Sequence, residues 1–102
     1  MKVVFVCSPF QGKQENIEKA KKYCRMLVDR GYIPIAPHVY FSQFMDDNKI
    51  EDRRRALEMN KKLLEFCDEL WVFGDKITEG MREEIEYFKK IKGKDKIKFV
   101  KI

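Results

Sequence analysis

Soft metal ligands are scarce in this chain, which holds three cysteines and one histidine in 102 residues. Cys7, Cys24 and Cys67 form no C-x-x-C pair, and His38 has no partner at ligand spacing, so neither a zinc site nor a catalytic metal is expected. An odd cysteine count, each residue in an apolar setting, argues against a disulfide framework and for buried thiols in a reducing compartment, so a cytoplasmic location is expected. Cys7 stands apart because it ends a strand-like run, close to where a ligand would sit. No apolar run approaches the ~20 residues a membrane span needs. The opening run Met1–Cys7 is too short for a secretory apolar region and leads into a polar helical pattern. Neither G-x-G-x-x-G nor a Walker loop occurs, which leaves dinucleotide or triphosphate cradling without support. Repeats, low-complexity stretches and internal linkers are also missing, and the length fits one domain over residues 1–102.

Charge is plentiful: 38% of residues are charged and the net charge is +5. The lysines are spread along the chain, with a mild cluster at Lys89, Lys90, Lys92, Lys94, Lys96, Lys98 and Lys101. Such a pattern reads as a solvated surface. A nucleic-acid partner ranks last, because no reading motif accompanies the charge. The hydrophobic fraction of 44% supports one modest core, and self-association into a homo-oligomer would add burial.

Four strand-like runs alternate with three helical ones. Residues 2–8 form a continuous apolar, β-rich run, as expected for a strand buried on both faces. Residues 14–30 carry Ile17, Ala20, Cys24, Leu27 and Val28 at helical spacing, and Gly31 then stops the helix. Ile33 to Ala36 is a second strand, ended by Pro37. Residues 38–50 form the longest connection, rich in aromatics and with room for one short helical turn; long loops in small domains are often functional. A second helix over 51–66 has Ala56, Met59, Leu63 and Leu64 as its inner stripe, continued by Cys67. Glu69–Phe73 is the third strand, 79–92 the third helix and Ile97 to Ile102 the last strand. The order βαβαβαβ predicts a three-layer α/β/α domain with a four-stranded parallel sheet, of the flavodoxin-like or Rossmannoid kind. Ligands in such sheets bind outside the carboxyl ends of the strands, which nominates Ser8 to Gly12, Pro37 to Asn48 and Gly74 to Gly80.

Within those segments Glu84 carries the strongest signal. At about 100° per residue, it falls on the same side of its helix as Met81, Ile85 and Phe88, whereas Glu83 and Glu86 fall outside. A carboxylate on an apolar face is costly unless something uses or satisfies it. It is read either as a functional acid or as a boundary residue bonded to helix N-terminal amides. Other residues have two roles open to them. Ser8 is a ligand contact or a turn residue; Asp75 is a ligand contact or a solvated turn acid; Asn16 faces the crevice or caps its helix. His38 acts on a bound ligand, binds phosphate, or makes a structural hydrogen bond. Tyr40 and Phe41 stack on a ligand or pack the loop. Asp46-Asp47-Asn48 lacks the glycine and distal glutamate of a calcium loop and reads as a cap.

Taken together, Ser8-Pro9-Phe10 after the first strand, Cys67 through Phe73, and Gly80-Met81-Arg82-Glu83-Glu84 resemble the nucleoside 2-deoxyribosyltransferase superfamily. Ala36-Pro37-His38-Val39-Tyr40-Phe41 and Thr78-Glu79-Gly80-Met81 are similar to a set of small bacterial and phage proteins within it. The resemblance spans nearly the whole chain and rests on the order and spacing of the motifs. It implies that Glu84 is the nucleophile that attacks the anomeric carbon. It also implies that Ser8, Phe10, Asn16, His38, Asp75, Thr78 and Gly80 surround a nucleoside or nucleotide, that no cofactor is needed, and that the protein is a homo-oligomer. The transferases carry an aspartate against the sugar two residues before the motif glycine, where this chain has Thr78, and they include a C-terminal extension that this shorter chain does not. The resemblance therefore implies N-glycosidic cleavage or glycosyl transfer. The alternative is a non-catalytic module that binds or senses a nucleotide derivative in the same pocket.

Overall fold

A computed structural model describes residues 1–101. The chain runs β1 (Val3–Cys7), α1 (Gln14–Asp29), β2 (Ile33–Ile35), α2 (Pro37–Phe41), α3 (Ile50–Glu65), β3 (Glu69–Phe73), α4 (Glu79–Lys92) and, after a 3-10 turn at Lys94–Lys96, β4 (Ile97–Val100). All pairings are parallel, in the order β2-β1-β3-β4. This is the expected α/β, flavodoxin-like architecture.

Alternation along the two central strands sorts their side chains between two cores. Phe5 and Cys7 of β1 with Leu70 and Val72 of β3 face α3 and α4, where Leu64, Met81, Ile85 and Phe88 complete one cluster. Val4 and Val6 with Trp71 and Phe73 point the other way, against Leu27 of α1 and the half-buried Tyr23 and Cys24. Tyr23 stacks on Phe73 with ring centroids 4.4 Å apart. Burial on both faces is the reason β1 and β3 read as unbroken apolar runs rather than as alternating ones.

Polar residues at the sheet's amino end are paired. The buried Glu69 accepts from Trp71 Nε1 at 2.8 Å and from Lys2 Nζ at 2.9 Å, with Lys98 Nζ 3.6 Å away. Gly31 and Gly93 leave their helices at φ +87° and +99°, a conformation that a side chain resists. At Gly93 an added Cβ would also lie 2.9 Å from Asp95 Oδ1.

Some expectations need correction. Val28 and Met59, placed on inner stripes, are 49% and 37% exposed. On α3 the inward position next to Met59 belongs to Asn60, one residue (about 100°) further round. The short helical turn expected in the long connection is present as α2, but it begins one residue earlier, with Pro37 in its first turn, where the missing N–H costs nothing. The last strand ends at Val100, and Ile102 lies outside the described residues. Of the thiols, Cys7 and Cys67 are buried and Cys24 is half-buried; all three are free.

Candidate functional site

Strand order reverses between β1 and β3, because β1 is followed in space by β2 on one side and β3 on the other. Crossovers leave the sheet in opposite directions at that point and open a crevice beyond the strand ends. A cleft of about 550 Å³ lies there. Ser8 and Phe10 line it from the loop after β1, His38 and Phe41 from α2, Asn60 from α3, and Thr78, Gly80 and Glu84 from the start of α4.

Glu84 stands on the second turn of α4, where Met81, Ile85 and Phe88 bury the same helix against the sheet. That packing fixes the helix rotation and turns Glu84 inward over the end of β1. Asn60 Nδ2 donates to Glu84 Oε2 at 2.9 Å. Poor hydration inside the cleft pushes the carboxyl up to about 7, while hydrogen bonds from Asn60 and Cys7 oppose the shift. Cys7 is buried beneath it, its Sγ 3.8 Å from the Met81 carbonyl; burial and then the Glu84 charge push its thiol well up, which makes it unreactive.

Across the cleft, His38 Nε2 lies 3.4 Å from Ser8 Oγ, and its ring stacks on Phe10 with centroids 5.2 Å apart. Burial lowers His38 to about 4, so the imidazole is neutral at physiological pH. Thr78 Oγ1 accepts from Met81 N at 3.2 Å and caps α4. Gly80 stands in the first turn of α4, on the cleft wall.

Six of the eight candidate residues thus share one cleft: Ser8, Phe10, His38, Thr78, Gly80 and Glu84. Two do not. Asn16 donates to the Phe10 carbonyl at 2.8 Å and tethers the loop from behind, while Asp75 is exposed outside the cleft. Tyr40 is 61% exposed, whereas Phe41 lines the cleft.

Asn60 escaped the sequence reading, although its position four residues from both Ala56 and Leu64 put an amide on the inner stripe of α3. Glu83, assigned to the outer side of α4, reaches the rim of the cleft. Asp47 and Asn48 also line it, from a turn in which Asp46 Oδ1 accepts from Asn48 N at 3.0 Å. Among the described residues no group of three or more histidines, cysteines and carboxylates could hold a metal ion, and no helix is long and apolar enough to cross a membrane.

Residues 2–98 match the model of a family described as a domain of unknown function, DUF7768. The chain belongs to that family. No curated protein matches. Among solved structures, the fold is similar to a 2-deoxyribosyltransferase from Bacillus psychrosaccharolyticus, with a TM-score of 0.73 and 17% sequence identity over 97% of this chain and 72% of the other. At that identity the likeness is one of fold.

Asn60 Oδ1 is buried without a hydrogen-bond partner among the described residues. With no protein donor to Oδ1, the amide adds little to the packing of α3 beyond its bond to Glu84. Asn60→Leu is therefore expected to melt no lower than the parent, while Glu84 loses its one amide donor and its carboxyl rises further above 7. Thermal melts and NMR titration of the Glu84 side chain check both parts; a large drop in melting temperature would make Asn60 a structural residue.

Proposed function

We propose that this protein cleaves or transfers the N-glycosidic bond of a nucleoside or nucleotide, with Glu84 as the nucleophile. The observation that carries the reading is an inward carboxylate, held by Asn60, at the strand-order reversal of a fold similar to that of a 2-deoxyribosyltransferase. A Glu84 oxygen attacks the anomeric carbon as the carbon–nitrogen bond breaks, and the bond's electron pair leaves with the base. A second base or a water then displaces Glu84 and restores the original configuration. Ser8 and His38, across the cleft, orient the sugar or base through hydrogen bonds. Phe10, stacked on His38, and Gly80, which brings backbone close, shape the wall. Thr78 starts the helix that carries Glu84, and Asn16 acts at one remove by fixing the Phe10 loop.

The reading includes no cofactor, a cytoplasmic setting in keeping with the free thiols, and a homo-oligomer. Phe44 and Tyr40, 62% and 61% exposed beside the cleft, supply apolar surface for a second copy. A second reading, a binding module without turnover, is favoured by Thr78: its hydroxyl is taken up in capping α4, so no carboxylate meets the sugar from that position.

Chromatography of the protein incubated with deoxynucleosides, ribonucleosides and their monophosphates, with and without a free acceptor base, tests the first reading beside Glu84→Ala. Base release or exchange lost in the variant supports it. No turnover, with the same compounds still raising the melting temperature, replaces it with the second.

A further inference from the structure

The cleft has a charge opposite to that of the whole chain. Net charge is +5 overall, yet Asp47 and Asp52 line one wall and Glu79, Glu83 and Glu84 the other, against the single cation Arg53. Arg53 is already engaged: its Nε and Nη2 donate to the Asp47 carbonyl at 3.3 and 3.2 Å. The positive end of α4 opens on the cleft, but Thr78 caps it and Glu79 and Glu83 in its first turns offset it. No cation lining this site is left free to pair with a phosphate. The walls instead attract a cation, which Phe41 can face with its ring.

Proton supply points the same way. A neutral base leaves a sugar readily only when an acid protonates it, a contribution of about 10²–10⁴ in rate. Glu84 is occupied as nucleophile, and the cleft's one imidazole, His38, is neutral. A base with a quaternised ring nitrogen needs no acid, because the electron pair of the broken bond cancels its charge.

We infer that the cleft takes a nucleoside whose base carries a cationic, quaternised ring nitrogen and whose sugar carries no phosphate. This rests on the N-glycosidic reading of the same cleft. Glu84 bonds to the anomeric carbon, the carbon–nitrogen bond breaks, and its electrons leave the base neutral. Water then displaces Glu84, giving the free sugar and one proton to solvent. The entering cation also favours the ionised carboxylate that the attack requires.

Nicotinamide riboside, its uncharged dihydro form and its 5′-monophosphate form a set in which the charge changes at one end of the molecule and then at the other. Calorimetry and thermal shift on the full chain are expected to show nicotinamide riboside binding at least tenfold tighter than either analogue. About 0.5 M salt should erode the preference, since screening shortens the reach of exposed charge. The Glu79→Gln/Glu83→Gln double variant should narrow it at least threefold; both side chains are exposed, and a melt verifies folding. Equal affinities across the set, or a preference for the monophosphate, overturn the inference. Turnover of uncharged deoxynucleosides without binding of nicotinamide riboside overturns it and leaves the N-glycosidic reading standing. Selective binding of nicotinamide riboside without base release supports the ligand class and overturns the catalytic reading instead. Binding of no member of either set overturns both.

Discussion

Glu84→Gln is expected to abolish turnover, by about 10³-fold or more, and to stabilise the protein above neutral pH. The activity loss follows from the attack, which needs a carboxylate oxygen that an amide does not supply. The stability gain follows from linkage. Burial raises the carboxyl from 4.5 in the unfolded chain to about 7 in the folded one, so between those values the folded state binds more protons. The wild type therefore loses stability as pH rises from 4.5 to 7, by roughly 2–3 kcal/mol at most. His38 works in the opposite direction. Its folded value of about 4 lies below the ordinary 6.5, so the unfolded state binds more protons and stability rises with pH from 4 to 6.5. The two slopes offset each other in the wild type between 4.5 and 6.5. In Glu84→Gln the His38 slope is left alone, and denaturation at a series of pH values should show it rising. A wild-type kcat/KM that climbs about tenfold per pH unit below 7 and levels above it would report the same group in the reaction. A flat profile would remove Glu84 from the chemistry.

Phe88→Ala is expected to cost about 3–5 kcal/mol, a large share of the ~5–15 kcal/mol that stabilises a domain of this kind. Phe88 is fully buried between α4 and the sheet, in the cluster that also holds Met81 and Ile85. Those three residues set the rotation of α4 and so the direction of Glu84. Urea denaturation gives the stability loss. If the variant still folds, base release should fall as well, because a rotated helix no longer presents Glu84 to the cleft. Phe73→Ala, on the opposite face against α1, is the control: a similar loss of stability is expected, with less effect on the site.

The chain's own pattern was enough for the architecture. Unbroken apolar runs at Val3–Cys7 and Glu69–Phe73 can be buried only in a sheet covered on both sides, and helical runs between them force parallel crossovers. It was enough, too, to single out Glu84 as an acid on an apolar helix face. Where it failed, a small angular error was decisive. Met59 and Asn60 differ by one residue on α3: spacing to Leu63 turns Met59 inward, spacing to Ala56 and Leu64 turns Asn60 inward, and the packing of Leu64 and Cys67 decides between them. Asp75 and Asn16 follow strand and loop positions that a ligand contact would use, but whether a turn folds over the cleft or away from it depends on its tertiary neighbours.

What the sequence determined by itself was therefore set by periodicity: element types, their order, the two-faced core and the inward side of α4. The tertiary structure alone decided what meets across the cleft. Residues 24 positions apart, Asn60 and Glu84, pair at 2.9 Å, and acids from α3 and α4 line one cleft although the chain as a whole is basic. Periodicity is local along one element, whereas a pairwise distance and a local potential depend on how several elements pack, and no single segment contains that information.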